Sequence, residues 1–272
     1  MVPSPSPKPS PSAGPAAGPA LRAASAIGPY FAWEPWDGGP GWRPLADLWD
    51  PDVAAERVDA ARDTLVKMSG LARDDIGERE VASITFLGLA SRLLSPLLAA
   101  ATVGGALPLP DGGRLWWRPV AGGPLPFAYR DLSAASCVGW DATALAEALT
   151  AHGVRGLVEP LLEVYAQRFS VSAQVLRGNV ASALGGAAGM LADTAPEHAG
   201  RTASVVAEML ARPPLQGTAE LVRPSPDHER WFLVRNNCCL YYRIPGAGTC
   251  GDCVLTQEPE RRRHWQAALN RR

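Results

Sequence analysis

Four of the five cysteines in this 272-residue chain sit close together near its C-terminus, in the segment NNCCLYYRIPGAGTCGDC: Cys238 and Cys239 side by side, then Cys250 and Cys253. A pair followed by C-x-x-C is a metal-site arrangement, and thiolate-only ligation suits zinc or iron–sulfur. Structural zinc draws its cysteines from two C-x2-4-C knuckles that wrap around one tetrahedral ion. Adjacent cysteines do not make such a knuckle, because neighbouring side chains of an extended chain point to opposite faces. A two-iron cluster has two separate corners to fill and tolerates the spacing. The four cysteines therefore read as ligands of a [2Fe–2S] cluster, and Cys137, in AASCVGW, as a small buried side chain.

The rest of the chain must position this site. Its length allows one or two domains with a sizeable core. Hydrophobic residues make up 47% and charged residues 19%, with a net charge of −1, so nothing draws it in bulk toward nucleic acid or anionic lipid. An odd cysteine count with four clustered argues against a secreted disulfide framework, and a reducing, cytoplasmic setting is expected.

Residues 1–28 are rich in Pro, Ala and Ser, as in Pro3, Pro5, Pro7, Pro9 and Pro11, and are expected to be a disordered tail with no signal peptide. Residues 29–225 are expected to form a mainly helical, substrate-binding region, and 226–272 the cysteine region. Tyr30–Trp49 carries Trp33, Trp36, Trp42 and Trp49 between Pro and Gly residues, which reads as a strap sealing the core. Asp50–Pro51 starts a helix in which Val58, Ala61, Leu65 and Met68 recur at helical spacing before Gly70 stops it. A second helix over 78–103 is apolar nearly all round, but Arg92, Pro96 and the glycines that follow make it a buried helix rather than a membrane span.

Arg114–Val120 and Leu125–Arg130 read as a β-hairpin. Helices return at 141–151, ended by Gly153, and at 157–169, 172–191 and 196–211. Arg230–Arg235 and Cys238–Ile244 read as a second hairpin, turning at Asn236–Asn237. The last stretch, 258–272, reads as a basic terminal helix. The fold class is α+β, mostly helical with a small antiparallel sheet and a C-terminal cysteine hairpin. The glycines at 185–189 lie inside a helical pattern, so they lack the context of a dinucleotide fingerprint and electrons must come from a partner. His152, His198, His228 and His264 are scattered, and no catalytic residue is proposed beyond the four cysteines.

The C-C-x10-C-x2-C spacing resembles the signature of the FhuF-like ferric-siderophore reductases, matched in type and position at Cys238, Cys239, Cys250 and Cys253. VLRGN at Val175–Asn179 extends the likeness to a Leu-Trp-Gly-Asn found in relatives, with Arg177 in place of the Trp. The resemblance implies an oxidoreductase whose [2Fe–2S] cluster reduces siderophore-bound Fe(III) to Fe(II) in the cytoplasm. Its electron would come from a ferredoxin or flavoprotein reductase, and it would work in solution or peripherally at an importer.

The chemistry is coherent, since Fe(III) is a hard ion held by hard oxygen donors, and one added electron loosens the complex. Such a cluster carries a formal charge of about −2, and about −3 when reduced, so nearby cations and N–H donors ease reduction. Arg235 and Arg243 flank the cysteine pair, with Arg261, Arg262 and Arg263 further on; Asp252, between two ligands, would oppose reduction unless protonated or turned to solvent. Trp33, Trp36, Trp116, Trp117 and Trp231 are the aromatic candidates for a substrate wall beside the cysteines. Two other readings stay open at this stage: a zinc-stabilised siderophore-binding module without redox activity, and a relative of the ATP-using siderophore synthetases.

Overall fold

The computed structural model describes residues 16–120 and 123–270. In chain order the helices are α1 (Gly18–Ser25), α2 (Pro51–Ser69), α3 (Glu78–Thr102), α4 (Ala142–Leu149), α5 (Glu159–Phe169), α6 (Ala173–Thr194), α7 (Ala199–Leu210) and α8 (Glu258–Leu269). The strands are β1 (Glu34–Pro35), β2 (Arg43–Pro44), β3 (Ala106–Pro108), β4 (Leu115–Trp117), β5 (Phe127–Tyr129), β6 (Ala134–Ser136), β7 (Ala219–Val222) and β8 (Phe232–Arg235). Sheet order is β1-β5-β4-β2, with separate β3–β6 and β7–β8 ribbons; every pair is antiparallel except β1 with β5. The α+β, mostly helical architecture is as the sequence predicts.

The interior is built around α3, the 25-residue helix that packs against α6, α1, α2 and α5. By length and composition α3 could cross a membrane, yet most of its apolar window is buried inside the protein. It is a core helix. Several sequence signals operate as expected at the chain ends of helices. Asp50 caps α2 by accepting from the Asp52 and Val53 N–H groups, and Gly70 closes it in the left-handed region at φ 71°. Ser172 caps α6 and Asp141 caps α4. Met68, counted with the apolar stripe of α2, is instead 80% exposed in the last turn.

Three expectations need correction. Residues 16–28 of the expected tail are structured: α1 buries Ala20, Leu21 and Ala24 against α3, apolar contacts that a compositional reading overlooks; residues 1–15 lie outside the described residues. Gly153 does not end the helix after Asp141. The chain continues as a π-helix over Thr150–Val158 into α5, with Gly153 pressed against Leu94 and Leu97 of α3. The hairpin expected at Cys238–Ile244 is absent, because β8 pairs with β7, Ala219 lying opposite Arg235.

The strap reading of Tyr30–Trp49 is explained by one charged residue. Arg92 of α3 is 4% exposed and donates from Nε to the Leu125 carbonyl (2.8 Å), from Nη2 to Ala32 (2.8 Å), and from Nη1 to Pro29. The indole N–H of Trp33 donates back to the Arg92 carbonyl at 2.9 Å. Burial pushes the guanidinium down to about 10, which leaves it charged at neutral pH. Arg92→Leu orphans three carbonyls and should lower stability by about 3 kcal/mol. Arg79→Leu, at an exposed site on the same helix, should stay within about 0.5 kcal/mol; urea denaturation of both checks this.

Candidate metal centre

The cysteine segment leaves β8 at Arg235 and does not continue as strand. The Asn236 N–H turns back to the Thr218 carbonyl at 2.8 Å, closing the β7–β8 ribbon. Leu240 then adopts a left-handed backbone, φ 70°, and opens a 3-10 turn at Tyr241–Arg243 before the Pro245–Gly246 turn. A left-handed non-glycine residue costs on the order of 1 kcal/mol. Its N–H is thereby placed 3.3 Å from the Cys238 Sγ. The Leu255 N–H reaches the Cys253 Sγ at 3.4 Å in the same manner.

With no strand ladder of its own, the loop is held by the helical body. Asn179 of α6 donates from Nδ2 to the Ser83 carbonyl (2.8 Å) and the Ser83 hydroxyl oxygen (3.0 Å) on α3. The Ser83 hydroxyl in turn donates to the Cys239 carbonyl at 2.8 Å. Ser83 and Asn179 are both fully buried. Asn237 donates from Nδ2 to the Gln174 carbonyl, and Arg235 from Nη2 to the Val175 carbonyl, so the first turn of α6 receives the loop. Gly178 makes the approach feasible: a Cβ there would lie 2.7 Å from Arg235 Nη2 and run into the Asn237 side chain. VLRGN is thus the seat of the cysteine loop, and Arg177 makes no hydrogen bond to it among the described residues.

All four thiols are free, none in a disulfide. Cys239 and Cys250 bring their sulfurs to 3.4 Å, close enough to share one proton. That hydrogen bond, with the Tyr241 N–H and the Arg235 charge, draws the Cys239 thiol below its usual range; the same shared proton and burial push Cys250 up. Burial likewise raises Cys238, partly opposed by the Leu240 N–H and by Arg235. Among the described residues, no three His, Cys, Asp or Glu side chains are gathered to hold a metal ion.

Arg235, expected at a strand end, is 1% exposed. It donates from Nε and Nη2 to Asn237, and its Nη1 is buried with no partner. A buried cation with an unused N–H, whose charge acts on the Cys238 and Cys239 thiols, fits an anionic iron–sulfur group. Arg243 is different: its side chain is half exposed, paired with Glu80 at 3.5 Å and lying over the Tyr242 ring. Arg261 donates to the Thr256 carbonyl and Arg262 pairs with Glu258. Asp252 accepts a hydrogen bond from the Ser182 hydroxyl of α6, and its carbonyl accepts from the Arg235 N–H at 3.1 Å.

The aromatic candidates separate. Trp33 and Trp117 are buried in the core, and Trp36 stacks on Trp116 at 4.7 Å in the four-stranded sheet, covered by Arg130. Only Trp231 of this group lies beside the cysteine loop, lining a groove with Gly251 and Asp252. Cys137 is buried, as expected, with its thiol pushed up by burial. Ser83, Ser182 and Trp265 went unread in the sequence; Ser83 sits in a helical repeat with nothing local to mark it.

Residues 235–255 match the model of the FhuF 2Fe-2S C-terminal domain. That short segment is similar to a FhuF-type [2Fe–2S] domain. The match contains all four cysteines together with Arg235, and it is consistent with the FhuF-like family, whose members include iron–sulfur proteins of siderophore-iron reduction. No curated protein matches the chain.

The seat yields a prediction. Gly178→Ala and Asn179→Leu should each displace the loop, lowering stability by about 1–3 kcal/mol. Iron content and visible absorbance should fall together in both variants while far-ultraviolet circular dichroism keeps its helical amplitude.

Proposed function

We propose that the protein is a ferric-siderophore reductase, passing one electron from a [2Fe–2S] cluster held by Cys238, Cys239, Cys250 and Cys253 to siderophore-bound Fe(III). The observation that carries this reading is a set of four thiols on one loop, seated on a helical body and lying inside the matched domain. When bound, such a cluster supplies electrons singly, which is the stoichiometry of Fe(III) to Fe(II).

The chain's own residues supply the rest. Cys239 and Cys253 are 3% exposed and keep water from the inner side of the site, whereas Cys238 and Cys250 are half-buried and face outward. Exchange of electrons takes place on that outer side. The Leu240 and Leu255 N–H groups and the buried Arg235 cation offset the negative charge that reduction adds. Asp252, the one acid between two of the thiols, accepts from the Ser182 hydroxyl and also hydrogen-bonds the Cys250 thiol, so its charge stays beside the site and opposes reduction. Reduced iron leaves its oxygen ligands because Fe(II) is the softer ion. The electron donor in this reading is a ferredoxin or flavoprotein reductase, and the setting is the cytoplasm, in solution or at the inner face of the membrane.

Ligation is tested by substitution. Cys238→Ser, Cys239→Ser, Cys250→Ser and Cys253→Ser should each abolish or strongly alter the visible spectrum and the electron paramagnetic resonance of dithionite-reduced protein. Cys137→Ala should leave both intact. Full iron in Cys239→Ala would show that the adjacent thiols do not both bind, and colourless, zinc-loaded wild-type protein would remove the redox reading altogether.

Electrostatics separate the two flanking arginines. Loss of a buried neighbouring cation should lower the cluster potential by tens of millivolts, from an interaction of about 1 kcal/mol at an effective dielectric near 20. Redox titration at fixed pH and salt should therefore show a clear drop for Arg235→Gln, partial recovery for Arg235→Lys, and little change for Arg243→Gln. Equal potentials in all three, with the cluster intact, would assign the tuning to backbone N–H groups alone.

A further inference from the structure

A groove of about 390 Å³ lies between the glycine-rich face of α6, strand β8 and helix α8, and its remaining wall is Gly251 and Asp252. Those two residues are the peptide between Cys250 and Cys253. Two other cavities, of about 550 Å³ between the β7–β8 ribbon and α8 and about 340 Å³ between α2 and α3, take no wall from the cysteine loop. We propose that the groove at Gly186 and Trp231 is the docking site of the ferric chelate, holding its organic shell one peptide away from the thiols. This rests on the reductase reading.

The floor of the groove is the first argument. Glycine inside a helix is costly, and each needs a reason. Gly185 has one, because a Cβ there would lie 2.7 Å from the Leu233 side chain. Gly186 has none of this kind: a Cβ would meet nothing within 4 Å. At Gly189 the nearest atoms, Arg230 Nη2 and the Trp231 carbonyl, stand off at 3.8 Å. These two glycines keep a space open rather than allow a close contact.

The walls give the chemistry. Trp231 and the Phe232–Trp265 stack, with ring centroids 5.3 Å apart, provide flat apolar surface. Trp265 is 7% exposed and its indole N–H is buried with no partner. The Nε of Arg230 is also buried without a partner, although its Nη1 pairs with Asp193. Unsatisfied buried donors call for acceptors. Aromatic surface with unused N–H donors suits a bulky molecule rich in carbonyl and other oxygen acceptors. Asp252, already engaged by Ser182, and His264 at the rim are its only metal-ligating side chains, so the groove is built for chelated rather than bare iron.

The redox-inert gallium(III) complexes of a trihydroxamate and of a tris-catecholate serve as probes, titrated into cluster-loaded protein with tryptophan fluorescence as the readout. At least one should bind wild type and quench Trp231 and Trp265. Gly186→Leu adds an apolar side chain to the groove lining at a position where a Cβ meets nothing within 4 Å, and should weaken binding about tenfold or more, leaving the cluster spectrum and potential unchanged. Trp231→Ala should weaken it too. Gly200→Leu, an equally unobstructed exposed site on α7, should bind as wild type does. Wild-type affinity in both Gly186→Leu and Trp231→Ala overturns the site, as does absence of binding to wild-type protein. Reoxidation of reduced protein by the ferric complexes is scored in parallel: if it persists, only the groove falls, and if it fails, the reductase reading falls with it.

Discussion

The hydrogen-bonded line from Asn179 through Ser83 to the carbonyl of Cys239 is the constraint on which the cysteine loop depends. It joins α6, α3 and the loop across a buried interior in which an unpaired polar group is costly. A loop with no ladder of its own has few internal means of holding a shape. Here its shape is imposed from outside, by the Ser83 hydroxyl on one side and the first turn of α6 on the other. Arg235 belongs to both partners, its guanidinium spanning from the loop to the Val175 carbonyl.

Helix α3 organises the molecule at two buried polar residues. Ser83 and Arg92 are about two and a half turns apart, which places them on opposite sides of the helix. One side receives the cysteine loop and the other holds the Trp-rich strap and the chain entering β5. Apolar packing fills the space between, as the near-complete burial of Leu93 to Ala101 shows. Hydrophobic contacts give this helix its depth in the protein, while the two polar residues decide what lies against it. That division of labour is expected where apolar burial is non-directional and hydrogen bonds are directional.

Signals confined to a few neighbouring residues were legible in the sequence. The Asp50–Pro51 cap, the Gly70 stop, the hairpin of β4 and β5, the buried helix over 78–102 and the cysteine spacing all belong to this class. What the sequence did not disclose depends on partners far along the chain. β8 chose β7 over the adjacent cysteine segment, because Leu240 turns left-handed and the Asn236 N–H is drawn to Thr218. Gly153 looked like a helix end but serves the contact with Leu94 and Leu97, and α1 was hidden by a composition that its burial against α3 overrides. For the site, spacing named the four thiols, yet it gave no hint of Ser83. It also treated Arg235 and Arg243 alike, although one is buried and the other faces solvent.

The direction of these contacts bears on how the protein is made. Every anchor that receives the cysteine loop, from Ser83 to Asn179, is synthesised before the first of its thiols leaves the ribosome. The main apolar core contains none of the four, and the loop packs onto the helices that form it. In this order the receptacle precedes the thiols it positions, and the cysteine loop is laid onto a seat the chain has already made.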